Sequence, residues 1–225
     1  SKERFWHPIK DAIQSRLKKL EQCRVLEFGA GRTGFRSYIS DLRDHTIFDV
    51  QDVTPVNQEY LQHEADCVHI GPVEMINEKY DIIFSTFVWE HVSNPKATLT
   101  HLLQLLNAGG SLFLISPRYD FPLYLSPSLK HASLVKRGLV AMWLLIKRAS
   151  VTLGGAPQFL IHLDPALFHG PWFRDADAIH WVSLWDLKRI CASLRNVKLP
   201  ACNTLKERFW AKFCLLYVEI KADST

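Results

Sequence analysis

The chain has 225 residues, 48% of them hydrophobic and 22% charged, enough apolar material for one sizeable core and too much for a disordered chain. Its 27 Lys and Arg exceed 23 Asp and Glu by four, yet five of those cations (Lys130, Lys136, Arg137, Lys147 and Arg148) fall between Phe121 and Leu163, where no acid occurs. The remainder, 22 basic against 23 acidic residues, excludes a generally basic polyanion-binding surface and makes nucleic acid an unexpected partner.

In chain order, Ile9, Ile13, Leu17 and Leu20 have the spacing of an amphipathic helix. Arg24–Phe28 reads as a strand running into Gly29-Ala30-Gly31-Arg32-Thr33-Gly34, and Phe35, Tyr38, Ile39 and Leu42 resume helical spacing. Thr46–Val50 reads as a second strand and Tyr80–Ser85 as a buried one. Asn94 and Pro95 predict a helix start with Leu99, Leu102, Leu103 and Leu106 inward. Gly109-Gly110 should stop that helix, and Ser111–Ser116 should be the next strand. After Pro117 the rhythm lapses for about sixty-five residues, then predicts a helix over Leu184–Leu194, a strand near Val197 and a long strand from Ala211 to Ile220. Lys2–Trp6 recurs as Lys206–Trp210, a coincidence if the second copy leads into that strand.

Such alternation implies an α/β fold, a doubly wound, mostly parallel sheet whose ligands bind at the carboxyl ends of the strands. The chain reads as one domain, 1–225, with residues 118–182 inserted after the fifth strand. The longest apolar run, Leu139–Ile146, has eight residues, against about twenty for a membrane span. No apolar h-region follows Ser1, so no signal peptide is expected. Five cysteines without a C-x-x-C pair suit reduced thiols and a cytoplasmic address.

Gly29-x-Gly31-x-x-Gly34 between a strand and a helix lets backbone approach a ligand at a helix N-terminus. It suits a dinucleotide or S-adenosylmethionine, and either needs a carboxylate after the second strand for ribose. Asp49 stands twenty residues beyond Gly29, with Asp52 as the fallback.

Three ordered stretches then resemble the class I S-adenosylmethionine-dependent methyltransferases. Val25–Gly31 is similar to their first motif, Tyr80–Val92 to their fourth-strand motif, and Leu105–Leu112 to their turn into the fifth strand, with Ala108 where proline is usual. The resemblance covers residues 23–117 and implies a seven-stranded sheet with an antiparallel last strand. It also implies S-adenosylmethionine as cofactor, with Gly29, Ala30 and Gly31 beside its methionine part and Glu27 steadying that turn or the amino group. Asp49 would hold the ribose. Asp66, with Cys67, in a segment similar to the one after the third strand, would meet the adenine. Ser85, Thr86 and Phe87 would line the sulfonium side.

Methyl transfer is an in-line displacement driven by the cofactor, and an oxygen acceptor needs at most a base. His91 is the first base candidate; in this family the Glu90-His91 pair often helps to hold the fold. Phe87 replaces the third ligand of a known metal triad, so no metal is expected. The insertion adds His162, Asp164, His169, Asp175, Asp177 and His180 beside Trp172, Phe173 and Trp181, which suggests an acceptor pocket with His169 or His180 as base. Leu129–Arg148 reads as a helix with charged ends. It can be packed on the sheet with solvated cations, or be an interfacial anchor on an anionic membrane surface at its inner face. It can also cap an anionic or glycan acceptor. The expectation is a methyltransferase acting on oxygen of a small-molecule or glycan acceptor under a 118–182 cap. Alternatives are a lipid-like or quinone acceptor at the membrane surface, or a degenerate fold serving as a binding module.

Overall fold

The computed structural model describes residues 3–122, 124–126, 129, 132–161, 180–199 and 202–222. Helix α1 (Glu3–Leu17) leads into β1 (Cys23–Phe28), α2 (Phe35–Tyr38), β2 (Thr46–Asp52), α3 (Gln58–Glu64), β3 (Cys67–Ile70) and β4 (Tyr80–Thr86). Then follow α4 (Pro95–Gln104), β5 (Leu106–Pro117), α5 (Leu134–Thr152), α6 (Leu184–Ile190), β6 (Leu194–Asn196), α7 (Leu205–Phe213) and β7 (Leu215–Lys221).

The strands form one seven-stranded sheet in the order β3-β2-β1-β4-β5-β7-β6. The first five run parallel, and β7 lies antiparallel to both β5 and β6. The chain leaves β1 towards β2 and returns to β1's other side with β4. Strand order therefore reverses at β1/β4, and the crevice outside their carboxyl ends is the expected ligand place.

Alternation along the strands feeds two cores. Cys23 and Val25 of β1, Phe48 and Val50 of β2, and Ile82 and Phe84 of β4 meet Phe5, Trp6, Ile9 and Ile13 of α1 on one face. Leu26, Phe28, Ile83, Leu112 and Leu114 meet Leu99 and Leu102 of α4 and Leu187 of α6 on the other.

Helix starts follow local chemistry. The Asn94 side chain accepts from the Ala97 amide with Pro95 next in line, and Ser133 and Ser183 cap α5 and α6. Thr204 and Glu207 form a reciprocal capping box on α7.

Several expectations are corrected. Residues Ala211–Phe213 belong to α7, so both copies of Lys-Glu-Arg-Phe-Trp lie in helices where described. The helix before β5 ends at Gln104, and Gly109-Gly110 lie inside β5. Gly109 takes φ +67, and a Cβ on Gly110 would meet the Asn107 and Asp81 carbonyls at 2.9 Å. These glycines shape an irregular strand start beside β4 rather than stop a helix.

Helix α5 is held from inside. Arg148 of α5 is buried, its guanidinium 3.1 Å from Asp120 and 2.9 Å from Asp186, and it donates to the Trp181 carbonyl at 2.8 Å. Asp120 also accepts from Ser183 Oγ and the Leu184 amide, and Asp186 from the Gln158 and Phe159 amides. The reading of Arg148 as a solvated cation is therefore wrong: it is the internal tie between α5 and α6.

Candidate active site

The turn after β1 is left-handed at Gly29 (φ +71) and Gly31 (φ +57). At Gly29 a Cβ would stand 2.4 Å from Val88, so glycine is what lets the turn close on the segment after β4. At Gly31 a Cβ would meet nothing within 4 Å: that backbone borders open space.

Strand β2 holds the turn. The Gly29 and Ala30 amides both donate to the Gln51 carbonyl at 2.9 Å, and the Gly31 amide donates to Asp52 at 3.0 Å. Gln51 ties the turn to the loop after β3: its Oε1 accepts from Gly29, and its amide donates to the Gly71 carbonyl at 2.6 Å. Gln51 was missed by sequence reasoning. Its signal was a polar side chain on the last turns of a buried strand.

Asp49 is not at this site. It lies in the middle of β2, three residues before Asp52, or about 10 Å back along the strand. Its carboxylate takes both Arg24 donors, at 2.8 and 3.0 Å, and the Tyr80 hydroxyl at 3.1 Å. Burial, and then this carboxylate, push the Tyr80 hydroxyl well above its ordinary range. The acid at the carboxyl end is Asp52, which also accepts from the Thr54 amide.

Asp66 and Cys67 are likewise displaced. The segment containing them precedes β3 instead of following it, which puts Asp66 about 13 Å from the strand's carboxyl end. Asp66 accepts from the Phe48 amide at 2.8 Å and from Arg36 at 2.7 Å, so it fastens the start of β3 to β2 and α2. Cys67 begins that strand, exposed. The loop at the proper end is Gly71–Met75, with no acid until Glu74, which accepts from Thr98.

Glu27, Gly29, Ala30, Gly31, Ser85, Thr86 and Phe87 do come together, at the carboxyl ends of β1 and β4. Ser85 Oγ and Thr86 Oγ1 are buried without a hydrogen-bond partner among the described residues. Phe87 has φ +59, which is strained for an aromatic residue. Its amide donates to Ile115, and its ring meets Phe5 of α1 edge-on at 5.3 Å.

Past Phe87, Glu90 is buried and accepts from Ser116 Oγ at 2.7 Å, which joins the ends of β4 and β5. His91 is partly exposed, its Nε2 3.9 Å from Glu90. His180 is 1% exposed and edge-on to Trp89 at 5.6 Å. Burial pushes its imidazole down to about 3, with the Arg148 and His91 charges adding to that against the Val92 backbone. An enclosed ring that refuses a proton at neutral pH is a poor general base, which corrects the expectation for His180. His162, Asp164, His169, Trp172, Phe173, Asp175 and Asp177 lie outside the described residues. Among the described residues no three His, Cys, Asp or Glu side chains are grouped to hold a metal ion. Burial raises the Cys23 thiol to about 12 and Cys191 to about 11, so neither is an activated nucleophile. A cavity of about 370 Å³ lies elsewhere, between β7 and α7, lined by Arg118, Val197, Arg208 and Lys212.

A 3-2-1-4-5-7-6 sheet with a left-handed glycine turn, and hydroxyls unpartnered among the described residues at the β1/β4 switch, define the Rossmann-like class, in which ligands bind at that switch. The family described as methyltransferase domain matches residues 2–194, and the chain belongs to that family.

A malonyl-[acyl-carrier protein] O-methyltransferase of Paenibacillus sp. (strain JDR-2) is 28% identical over 109 residues, covering 42% of this chain and 38% of that protein. Among solved structures, the plantazolicin methyltransferase BpumL in complex with SAH aligns over 98% of this chain and 84% of its own, at TM-score 0.55 and 12% identity. A putative S-adenosylmethionine-dependent methyltransferase from Listeria monocytogenes aligns over 99% and 100%, at TM-score 0.54 and 11% identity. At such identities the structures establish the shared fold.

The residues present fit S-adenosylmethionine, the cofactor that the resemblance implies. Open space borders Gly31, and two buried hydroxyls beside it lack partners among the described residues. When bound, the cofactor supplies an electrophilic methyl group on sulfonium sulfur.

Proposed function

We propose that this enzyme transfers the methyl group to an oxygen of a small-molecule or glycan acceptor, held over the ends of β4 and β5 by a cap formed from residues 118–182. On this reading Gly29, Ala30 and Gly31 admit the cofactor, Glu27 steadies the turn, and Asp52 takes the ribose hydroxyls. Ser85, Thr86 and Phe87 border the reacting methyl group. The observation that carries the choice of oxygen is the Glu90–His91 pair at the end of β4. Glu90 is fixed by Ser116 while His91 keeps solvent access beside it, an arrangement suited to orienting an imidazole that takes a hydroxyl proton.

A second reading is a carboxylate acceptor, favoured by the acceptor named for the Paenibacillus relative. A carboxylate is already ionised and needs no base. A lipid-like acceptor is a third, favoured by the exposed apolar face of α5.

Calorimetric titration with S-adenosylmethionine, followed by transfer assays on hydroxyl and carboxyl acceptors, tests these roles. Asp52→Asn should weaken donor binding on the order of tenfold, the loss of a charge-assisted hydrogen bond, while Asp49→Asn should not. His91→Gln should leave donor binding intact and lower kcat on hydroxyl acceptors about a hundredfold or more. Full activity of His91→Gln on the true acceptor would remove the base and favour a carboxylate.

A further inference from the structure

Helix α5 buries one side and turns an apolar one outward. Leu144, Arg148 and Val151 face the domain. On the opposite side, at spacings of four, three and four, stand Val135, Leu139, Met142 and Ile146, which are 73%, 68%, 61% and 62% exposed. Leu153, at the end of the helix, continues the line, and Leu134 and Leu145 widen one edge. A helix facing water carries polar residues there, and a contiguous exposed apolar patch marks a contact surface.

The charges beside the patch say what meets it. With Arg148 tied inside to Asp120 and Asp186, Lys136 and Lys147 are the cations that flank the apolar row, about 100° around the helix from it and in no ion pair among the described residues, whereas Arg137, seven residues before Leu144, stands on the side of the buried row. The Lys147 ammonium lies 5.8 Å from the centre of the Trp143 ring. No acid occurs between Phe121 and Leu163 to answer them. A second copy of α5 would bring like charges together without a carboxylate on either side. An anionic bilayer surface supplies both an apolar boundary and opposite charge. The nineteen residues of α5 rise about 28 Å. No helix among the described residues is long and apolar enough to cross a membrane, so the contact is in the plane.

We propose that α5 seats this enzyme on an anionic lipid surface, with Val135, Leu139, Met142 and Ile146 entering the headgroup–acyl boundary and Lys136 and Lys147 meeting lipid phosphates. This holds whichever acceptor is methylated.

Flotation of the full chain with phosphatidylcholine vesicles, with and without phosphatidylglycerol, tests it. The protein should float with the anionic vesicles and stay at the bottom with neutral ones. Replacing Val135, Leu139, Met142 and Ile146 together by Ser should abolish flotation. Replacing Lys136 and Lys147 by Ser should lower the partition coefficient about fivefold per charge, on the order of twentyfold in all. S-adenosylmethionine titration and the melting temperature should match those of the parent in both variants, which separates lost docking from lost folding. Absence of flotation, or equal flotation of the apolar-to-Ser variant, overturns the proposal. A dimer in size exclusion that the Ser substitutions dissolve, without flotation, assigns the face to a second copy and overturns it as well.

Discussion

His180 should make the fold acid-sensitive in a window set by two numbers. In the native chain its ring stays neutral down to about 3, whereas its ordinary value is 6.5. Between those values the unfolded chain binds a proton that the folded one refuses, so stability rises with pH across the window. The contribution is fully present above 6.5 and is lost as pH falls towards 3. Each pH unit below 6.5 costs about 1.4 kcal/mol, or about 2 kcal/mol by pH 5, against a net stability of about 5–15 kcal/mol for a typical domain. His180→Phe keeps a flat ring against Trp89 and removes the titrating group. Urea unfolding of both proteins at pH 7 and pH 5 measures the effect, with carboxylate contributions cancelling in the difference. The parent should lose about 2 kcal/mol more than the variant. Equal losses, at matching m-values, would refute both the buried environment assigned to His180 and its exclusion as a base.

The two site glycines should fail in different ways. Gly29→Ala meets Val88 at 2.4 Å with φ +71 and should destabilise the fold by about 2–4 kcal/mol, read by thermal melting. Gly31→Arg meets open space and should fold at a cost of about 1–2 kcal/mol, yet lose S-adenosylmethionine binding in calorimetry. Arg148→Met leaves buried Asp186 without a cation, while Asp120 keeps Arg118 at 2.7 Å, and should cost about 3–5 kcal/mol in chemical unfolding. Adding Asp186→Asn should recover part of that loss; a change under about 1 kcal/mol for Arg148→Met would show that the tie is dispensable.

The central strands were legible because each is a short apolar run with glycines or acids at a fixed end, and the glycine turn announces the site. What was misread needed information the local pattern lacks. Asp49 and Asp52 are both acids near the end of one strand, and only the pairing of Gln51 with Phe28 shows which of them reaches the turn. The segment at Asp66 resembles one that follows a third strand, because the true β3, Cys67–Ile70, has only four residues, too few to signal itself. Helix α7 was absorbed into the β7 pattern, although Leu205, Phe209 and Phe213 recur every four residues behind the Thr204–Glu207 box. Arg148 resembles its neighbour Lys147 in sequence, and what buries it is a carboxylate 38 residues away.

That buried guanidinium separates what keeps α5 in place from what its outer side meets. The hold on α5 comes from Arg148 together with Leu144 and Val151 sealed beneath it, and the row turned outward takes no part in that packing. Outward positions can therefore be rewritten, by drift or by an engineer, with the anchorage untouched. Transplanting the helix onto a related sheet is another matter. Arg148 would have to travel with Asp120 and Asp186, one from the end of β5 and one from α6, or arrive as a lone cation in an apolar interior.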